Sequence, residues 1–502
     1  MHAERLLVTE PLAASDTDVA RALRDAERAA GLRHNRMDVL RLRLGVDAWA
    51  RGARVPGAPR LAEFVFLKEL ILDACGLHAL PRQALETMPR LKSASFGSNL
   101  LSDASELEAL PASLSRLVLE CNTLRAVPPS ATARFTRLKT LDLGFNELAE
   151  LHVAPAACAR LQTLDVSGNR FVRLVPPRAP ELETLRARAC MLAHAACERM
   201  YLEILRGVLD APLTQLDLSG NLLDAAAAAR LVELLAGARA AKTLRELDLS
   251  CNDIEEWRPP AAQYALVDAL PRVTELDLSN NLLDLADFAA TFRPPTHAPA
   301  TLALYGNARR VPREWREAMT RARVSLRDAP ADAPSLVHDD WLYVCGAEGA
   351  KARRALEAAG VASVVCAARA ATRPYARDMR YLVVDVQDSR SGDLFSVLTD
   401  VADHIHAEHL RGAAGGRGGV LVHCHAGASR SVTLAAAYML KYGRAPPTPP
   451  TPPTPPTPPT LEQARALVDD VLARIHAQRA RAAPTAHFRA TLAAWVCATL
   501  RY

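Results

Sequence analysis

The chain has 502 residues, half of them apolar, with 61 basic and 56 acidic side chains and a formal charge of +5. That length fits about three domains at ~150 residues each unless repeats are present, and the apolar half excludes wholesale disorder. The charge is too mild to imply a nucleic-acid partner, and no stretch reaches ~18 uninterrupted apolar residues, so no membrane span is expected.

The N-terminus, MHAERLLVTEPLAASDTD, lacks the continuous apolar core of an export signal. The ten cysteines include no C-x-x-C pair. They are expected to be reduced thiols rather than disulfides or zinc ligands, in the cytoplasm or the nucleus. Residues 17–50 look helical and are expected to form an N-terminal cap region within 1–60.

From residue 67 one pattern recurs, L-x-x-L-x-L-x-x-N/C-x-L. It is clearest in LKTLDLGFNEL (138–148), LTQLDLSGNLL (213–223), LRELDLSCNDI (244–254) and VTELDLSNNLL (273–283). Its asparagine or cysteine position falls at 75, 99, 122, 146, 169, 190, 221, 252, 281 and 307. These copies resemble leucine-rich repeats, whose period is ~20–29 residues. The expected fold for 61–312 is therefore a solenoid, a horseshoe of about ten repeats. Each L-x-L is a short strand with both leucines inward, and the asparagine can bond the backbone of its turn. Cys75 and Cys190 are expected to fill that position structurally. Early repeats carry prolines after the strand and predict extended or 3₁₀ returns. The later stretch AAAAARLVELLAGA (225–238) predicts an amphipathic helix.

One column of the concave face is acidic: Asp142, Asp165, Asp217, Asp248 and Asp277, interrupted by Arg186. Two readings stand: L-D-L-S is simply common in such repeats, or the column docks a basic protein partner.

After Arg310 the leucine ladder stops, and 313–335 reads as a linker. Apolar strands then alternate with helices: WLYVCG (341–346), a helix over 350–360, VASVVCA (361–367), RYLVVDV (380–386), a helix near 394–410, and VLVH (420–423). This alternation predicts a largely parallel sheet with helices on its faces, a three-layer α/β domain. VLVH runs directly into CHAGASRS, giving H-C-x-x-G-x-x-R-S with His423, Cys424, Gly427, Arg430 and Ser431. A cysteine between a strand end and a helix N-terminus sits in the positive end of the helix dipole, which favours its thiolate. The small residues after it can turn their amides on an anion as a nest. Gly427 permits the tight path, and Arg430 offers a planar fork for two phosphate oxygens.

This segment resembles the active-site loop of cysteine-dependent protein tyrosine phosphatases, in particular the dual-specificity branch, over residues 336–502. The resemblance implies a dual-specificity protein phosphatase acting on a phosphoprotein substrate, with Cys424 as nucleophile. The phosphate would be held by His425, Ala426, Gly427, Ala428, Ser429 and Arg430. Ser431 would stabilise the leaving thiolate, or bond at the helix N-terminus, or both. His423 would orient the loop. The role of His425 is open. The stretch YLVVDVQDSRSGD resembles the family segment that carries the general acid, which places Asp388 in that role, with Asp385 and Asp393 as competitors. No cofactor and no metal are needed, because loop amides and Arg430 supply the charge stabilisation. A thiolate here is expected to be oxidised by peroxide.

The variable loop residues include no lysine, which favours phosphoproteins over phosphoinositides. The basic surplus lies wholly in residues 336–502, with 19 Lys/Arg against 14 Asp/Glu, while the remainder has 42 of each. A phosphoinositide or other non-protein phosphatase, or a phosphoprotein-binding scaffold with little turnover, are the alternatives. Residues 446–460 are five Pro-Pro-Thr units where the resemblance would place a short turn. The run is a tolerated surface insertion, or a regulatory segment read by proline-directed kinases or proline-binding modules.

Overall fold

The computed structural model describes residues 5–8, 39–42, 65–73, 77–171, 173–174, 179–190, 209–257, 271–292, 301–327, 332–368, 375, 378–384, 394–413, 418–443 and 459–500. The chain divides into two compact units, Met1–Arg327 and Asp328–Tyr502.

The first unit is built on a 13-stranded sheet that runs from Arg5–Val8 to Ser325–Arg327. The strands pair parallel and in register, so equivalent residues of successive repeats stand side by side. Each L-x-L sends both leucines into one continuous core, as with Leu141 and Leu143 or Leu276 and Leu278, all at most 2% exposed. A three-residue strand cannot hold itself. Burying its leucines against both neighbours is what makes the ladder stable.

The recurrent asparagine explains the turn. Asn146 Oδ1 accepts from the Leu124 N–H at 3.1 Å, while its Nδ2 donates to the carbonyls of Leu119 and Leu143, each at 3.0 Å. Asn99, Asn122, Asn169, Asn221, Asn252, Asn281 and Asn307 repeat the pattern of an own-turn and a preceding-turn carbonyl. One amide thereby serves three buried backbone groups that would otherwise lack partners. Cys190 replaces it with a thiol that lies 3.2 Å from the Val166 carbonyl. Cys75 lies outside the described residues. The residue before each ladder position is left-handed: Ser98, Cys121, Phe145, Gly168, Ala189, Gly220, Cys251, Asn280 and Gly306 all have φ between 49° and 76°.

The early return segments, expected to be extended or 3₁₀, differ in part: a proline at or just before the first helical position starts an α-helical turn in three of them. Arg82–Leu85, Pro129–Thr132 and Pro155–Cys158 are single helical turns, and Ser105–Ala109 is 3₁₀. The longer Ala225–Ala236 helix is capped by Asp224, whose carboxylate accepts from the Ala227 N–H.

Two boundaries differ from the sequence reading. Val39–Leu42, inside the segment expected to be helical, is a strand pairing with Arg5–Val8 and Glu69–Ile71. The V-L-R-L alternation there has the period of a strand, and the free edge of the ladder accepts it. The rest of 17–50 lies outside the described residues. At the other end, the expected linker 313–335 begins as a helix, Arg313–Arg321, and a last strand, Ser325–Arg327, which pairs with Thr301–Ala303.

In the second unit, five strands are labelled in chain order: β1 (Ser335–His338), β2 (Leu342–Cys345), β3 (Val361–Cys366), β4 (Arg380–Val383) and β5 (Gly419–His423). Their spatial order is β1-β2-β5-β3-β4, antiparallel only between β1 and β2. One sheet face packs on α1 (Arg353–Ala358), around Leu356, Val364 and Leu421. The other face packs on α2 (Phe395–Ala413), α3 (Arg430–Lys441) and α4 (Leu461–Gln478), and α5 (Ala486–Thr499) packs against these three helices. The domain is thus three-layered, as expected. Strand β5 is buried at all five positions, and so is every α3 residue from Ser431 to Leu440.

Candidate active site

The central strand β5 ends at His423, and α3 begins at Arg430. The loop between them therefore stands over the middle of the sheet, where parallel strands expose their carboxyl ends. Cys424 is fully buried. Its Sγ accepts from the Gly427 N–H at 3.2 Å and lies 3.2 Å from Ser431 Oγ. Cys424, Gly427 and Ser431 are thus brought together as the sequence motif predicts, with Ser431 in the first turn of α3.

The loop carbonyls are held from outside. The His425 carbonyl accepts from the Ala347 N–H at 2.9 Å, the Gly427 carbonyl from Arg479 Nε at 2.6 Å, and the Ala428 carbonyl from the Ala483 N–H at 2.8 Å. A trans peptide carries its N–H opposite its C=O. Anchoring these three carbonyls outward therefore turns the amides of Ala426, Ala428 and Ser429 toward the thiol side. Gly427 has φ of +66°. A Cβ there would lie 2.4 Å from Arg479 Nη2, the Cys345 carbonyl carbon and the Gly346 nitrogen, so only glycine fits. His425 and Ala426 are exposed, Ala428 and Arg430 half-buried, and Ser429 buried. Ser429 Oγ accepts from the Thr485 N–H at 3.4 Å, and Thr485 in turn caps α5 through Phe488 N–H.

His423 is 1% exposed. Burial, opposed by a contact with the Cys424 backbone, pushes its imidazole down to about 4. A ring neutral at physiological pH lends the thiol no positive charge. Asp388 and its competitors Asp385 and Asp393 lie outside the described residues, as does the Pro-Pro-Thr run up to residue 458. Thr460 closes that run as the cap of α4: its N–H donates to Gln463 Oε1 at 2.8 Å and its hydroxyl accepts from Gln463 N–H at 3.3 Å.

Two side chains at this site were not singled out from sequence. Arg479 follows α4 and is 4% exposed. Besides holding Gly427, its Nη2 pairs with both oxygens of Asp332 at 3.0 and 3.1 Å, and its Nη1 donates to Ser335 Oγ at 3.2 Å. Asp332 also accepts from the Gly346 N–H at 2.5 Å. Nothing local marks an aspartate in DAPADAPSL or an arginine in HAQRARAAP as neighbours of a loop 50 or more residues away.

The aspartate column of the repeats stands in register from Asp142 through Asp165, Arg186, Asp217, Asp248 and Asp277. Each carboxylate accepts from the N–H two residues on, at Gly144, Ser167, Ser219, Ser250 or Ser279. The recurrence of D-x-S therefore has a local cause, an aspartate closing its own turn. Burial and then neighbouring carboxylates push Glu120 up to about 7 and Asp142 and Asp217 up to about 6. Beside the column, Glu246 and Glu275 are exposed, and a shallow groove runs over Asp217, Glu246, Asp248, Glu275 and Asp277.

Residues 342–446 match the family model described as the dual specificity phosphatase catalytic domain, and residues 112–171 and 240–255 match leucine rich repeat models. The chain carries both kinds of domain. Human dual specificity protein phosphatase 18 is 31% identical over 101 residues, covering 20% of this chain and 51% of that protein. Dual specificity protein phosphatase 22 of Xenopus tropicalis is 43% identical over 68 residues, covering 14% of this chain and 30% of that protein. The chain spans about half the length, or less, of these curated relatives. Among solved structures, the Yvh1 phosphatase domain from Chaetomium thermophilum is 24% identical, covering 32% of this chain and 94% of that chain with a TM-score of 0.27. A leucine rich repeat and phosphatase domain containing protein from Entamoeba histolytica is 12% identical, covering 33% and 90%, with a TM-score of 0.25. Among the described residues no helix is long and apolar enough to cross a membrane.

Proposed function

We propose that this protein is a dual-specificity protein phosphatase, hydrolysing phosphotyrosine and phosphoserine/threonine, with the repeats holding a protein partner. The reading rests on one observation: a buried thiol at the end of the central strand, bonded by the Gly427 amide inside a loop whose carbonyls are held by neighbouring segments. The Cys424 thiolate attacks phosphorus as the P–O ester bond breaks, and Asp388 gives its proton to the departing oxygen. Loop amides and Arg430 hold the non-bridging oxygens. Water then attacks phosphorus, its proton passing to the Asp388 carboxylate. The P–S bond breaks and the thiolate leaves, with Ser431 donating to it.

Turnover of p-nitrophenyl phosphate, abolished in Cys424→Ser, is the expected result; wild-type protein without turnover would leave a binding scaffold. Phosphopeptides should be preferred over phosphoinositides when the two panels are compared, and the reverse preference would replace the protein reading. In the role of general acid, Asp388→Asn should lose the basic limb of the pH–rate profile. If Asp393→Asn or Asp385→Asn loses it instead, the assignment moves to that residue.

For the repeats, the acidic groove favours a basic partner. Because the aspartates also close their own turns, reversal of Asp217 or Asp248 confounds folding with binding. Glu246→Lys together with Glu275→Lys changes the field and spares every turn. Loss of a captured basic partner supports the reading, and retained capture removes it.

A further inference from the structure

We propose that Asp332 and Arg479 form a positioning clamp for the reaction: through them the segment preceding the catalytic sheet aims the anion-binding loop. This rests on the loop being the phosphate cradle, as proposed above. Both side chains are buried, Arg479 at 3% and Asp332 at 9% exposure. A buried pair of opposite charges held by several hydrogen bonds has few geometries open to it, and Arg481 Nη1 adds a third contact to Asp332 at 3.5 Å. Asp332 fixes the fork of Arg479 by two contacts at 3.0 and 3.1 Å, and Ser335 Oγ fixes the other terminal nitrogen at 3.2 Å. Its Nε donates to the Gly427 carbonyl at 2.6 Å.

That carbonyl belongs to the peptide whose N–H is on Ala428. Gly427 lies at φ +66° without a Cβ, so no side chain of its own holds the peptide beside it. The neighbouring anchors at His425 and Ala428 are backbone groups and cannot be withdrawn by a side-chain change. Among the described residues, Arg479 is the side chain that holds this peptide. Asp332 binds the other side of the same assembly, since its carboxylate takes the Gly346 N–H at 2.5 Å, and Gly346 is packed against Gly427. Asp332 and Arg479 both belong to the second unit.

The test uses the full chain and tungstate, a tetrahedral oxyanion, titrated calorimetrically into Cys424→Ser protein so that binding is read without turnover. Arg479→Lys keeps the charge beside Asp332 but loses the Nε donor. Asp332→Asn keeps an acceptor for Gly346 and removes the charge that orients the fork. Misaiming one anion donor costs ~10²–10³ in rate. Arg479→Lys should therefore weaken tungstate about 10- to 100-fold, and Asp332→Asn about 10-fold. With Cys424 restored, kcat should fall in parallel at little-changed folded fraction. If Asp332→Asn melts earlier but binds tungstate and turns over as the parent does, the clamp is only structural and the proposal fails, whatever Arg479→Lys does. If Cys424→Ser with both clamp residues intact binds no oxyanion, it is the cradle reading that fails.

Discussion

Replacing Ser431 by alanine separates the two chemical steps of the proposed mechanism. Ser431 Oγ lies 3.2 Å from Cys424 Sγ, and neither residue has exposed surface. Alanine is a good helix former, so the first turn of α3 should survive. A hydrogen bond to a charged group is worth about 1.5–3 kcal/mol. At about 1.4 kcal/mol per factor of ten, that is roughly 10- to 150-fold in rate. The bond stabilises sulfur as a thiolate, so its loss does not retard attack by that thiolate. It retards the second step, in which sulfur must leave phosphorus. Stopped-flow mixing of Ser431→Ala with p-nitrophenyl phosphate should give a burst of about one nitrophenol per active site. A steady state lowered about 10- to 150-fold should follow. Unchanged turnover, or a lowered rate without a burst, would refute this account of the hydroxyl.

Three further outcomes are expected. Asn146→Ala strands the Leu124 N–H and the carbonyls of Leu119 and Leu143; at about 1 kcal/mol per buried group it should cost about 3 kcal/mol in urea denaturation, and a loss below ~1 kcal/mol would show that water replaces the amide. Ala189, left-handed at φ +49°, should gain about 0.5–1 kcal/mol as glycine. Gly168→Ala should be destabilising, since its Cβ would meet the Phe145 ring at 2.5 Å; equal melting of the two variants would contradict the strain argument. Finally, His423 sits at about 4 against an ordinary 6.5. Its folded value is the lower one, so stability is complete above pH ~6.5 and is lost as pH falls toward 4, by on the order of 3 kcal/mol. His423→Phe should flatten that part of the curve, and parallel curves for variant and parent would exclude His423 as the cause.

Both architectures were legible in sequence because their signals are local. An L-x-L pair with an asparagine three positions after its second leucine names a strand and its turn within eleven residues. H-C-x-x-G-x-x-R-S names a cysteine, a glycine turn and an arginine at a helix start within nine. The strand Val39–Leu42 was misread because leucine and charge composition outweighed a two-residue period over only four positions. The end of the ladder was misplaced because Ser325–Arg327 lacks the asparagine signature and is held only by its pairing with Thr301–Ala303.

The sequence by itself determined the repeat register, the βα alternation and the placing of Cys424, Gly427 and Ser431 on one strand–loop–helix turn, since each is decided by neighbours a few residues away. Tertiary structure alone decided that Asp332 and Arg479 meet, 147 residues apart, behind Gly427. It also decided that the aspartate column closes its own turns, and that His423 stays neutral through burial. Burial and convergence depend on which chain segments the sheet brings together. No window of sequence contains that.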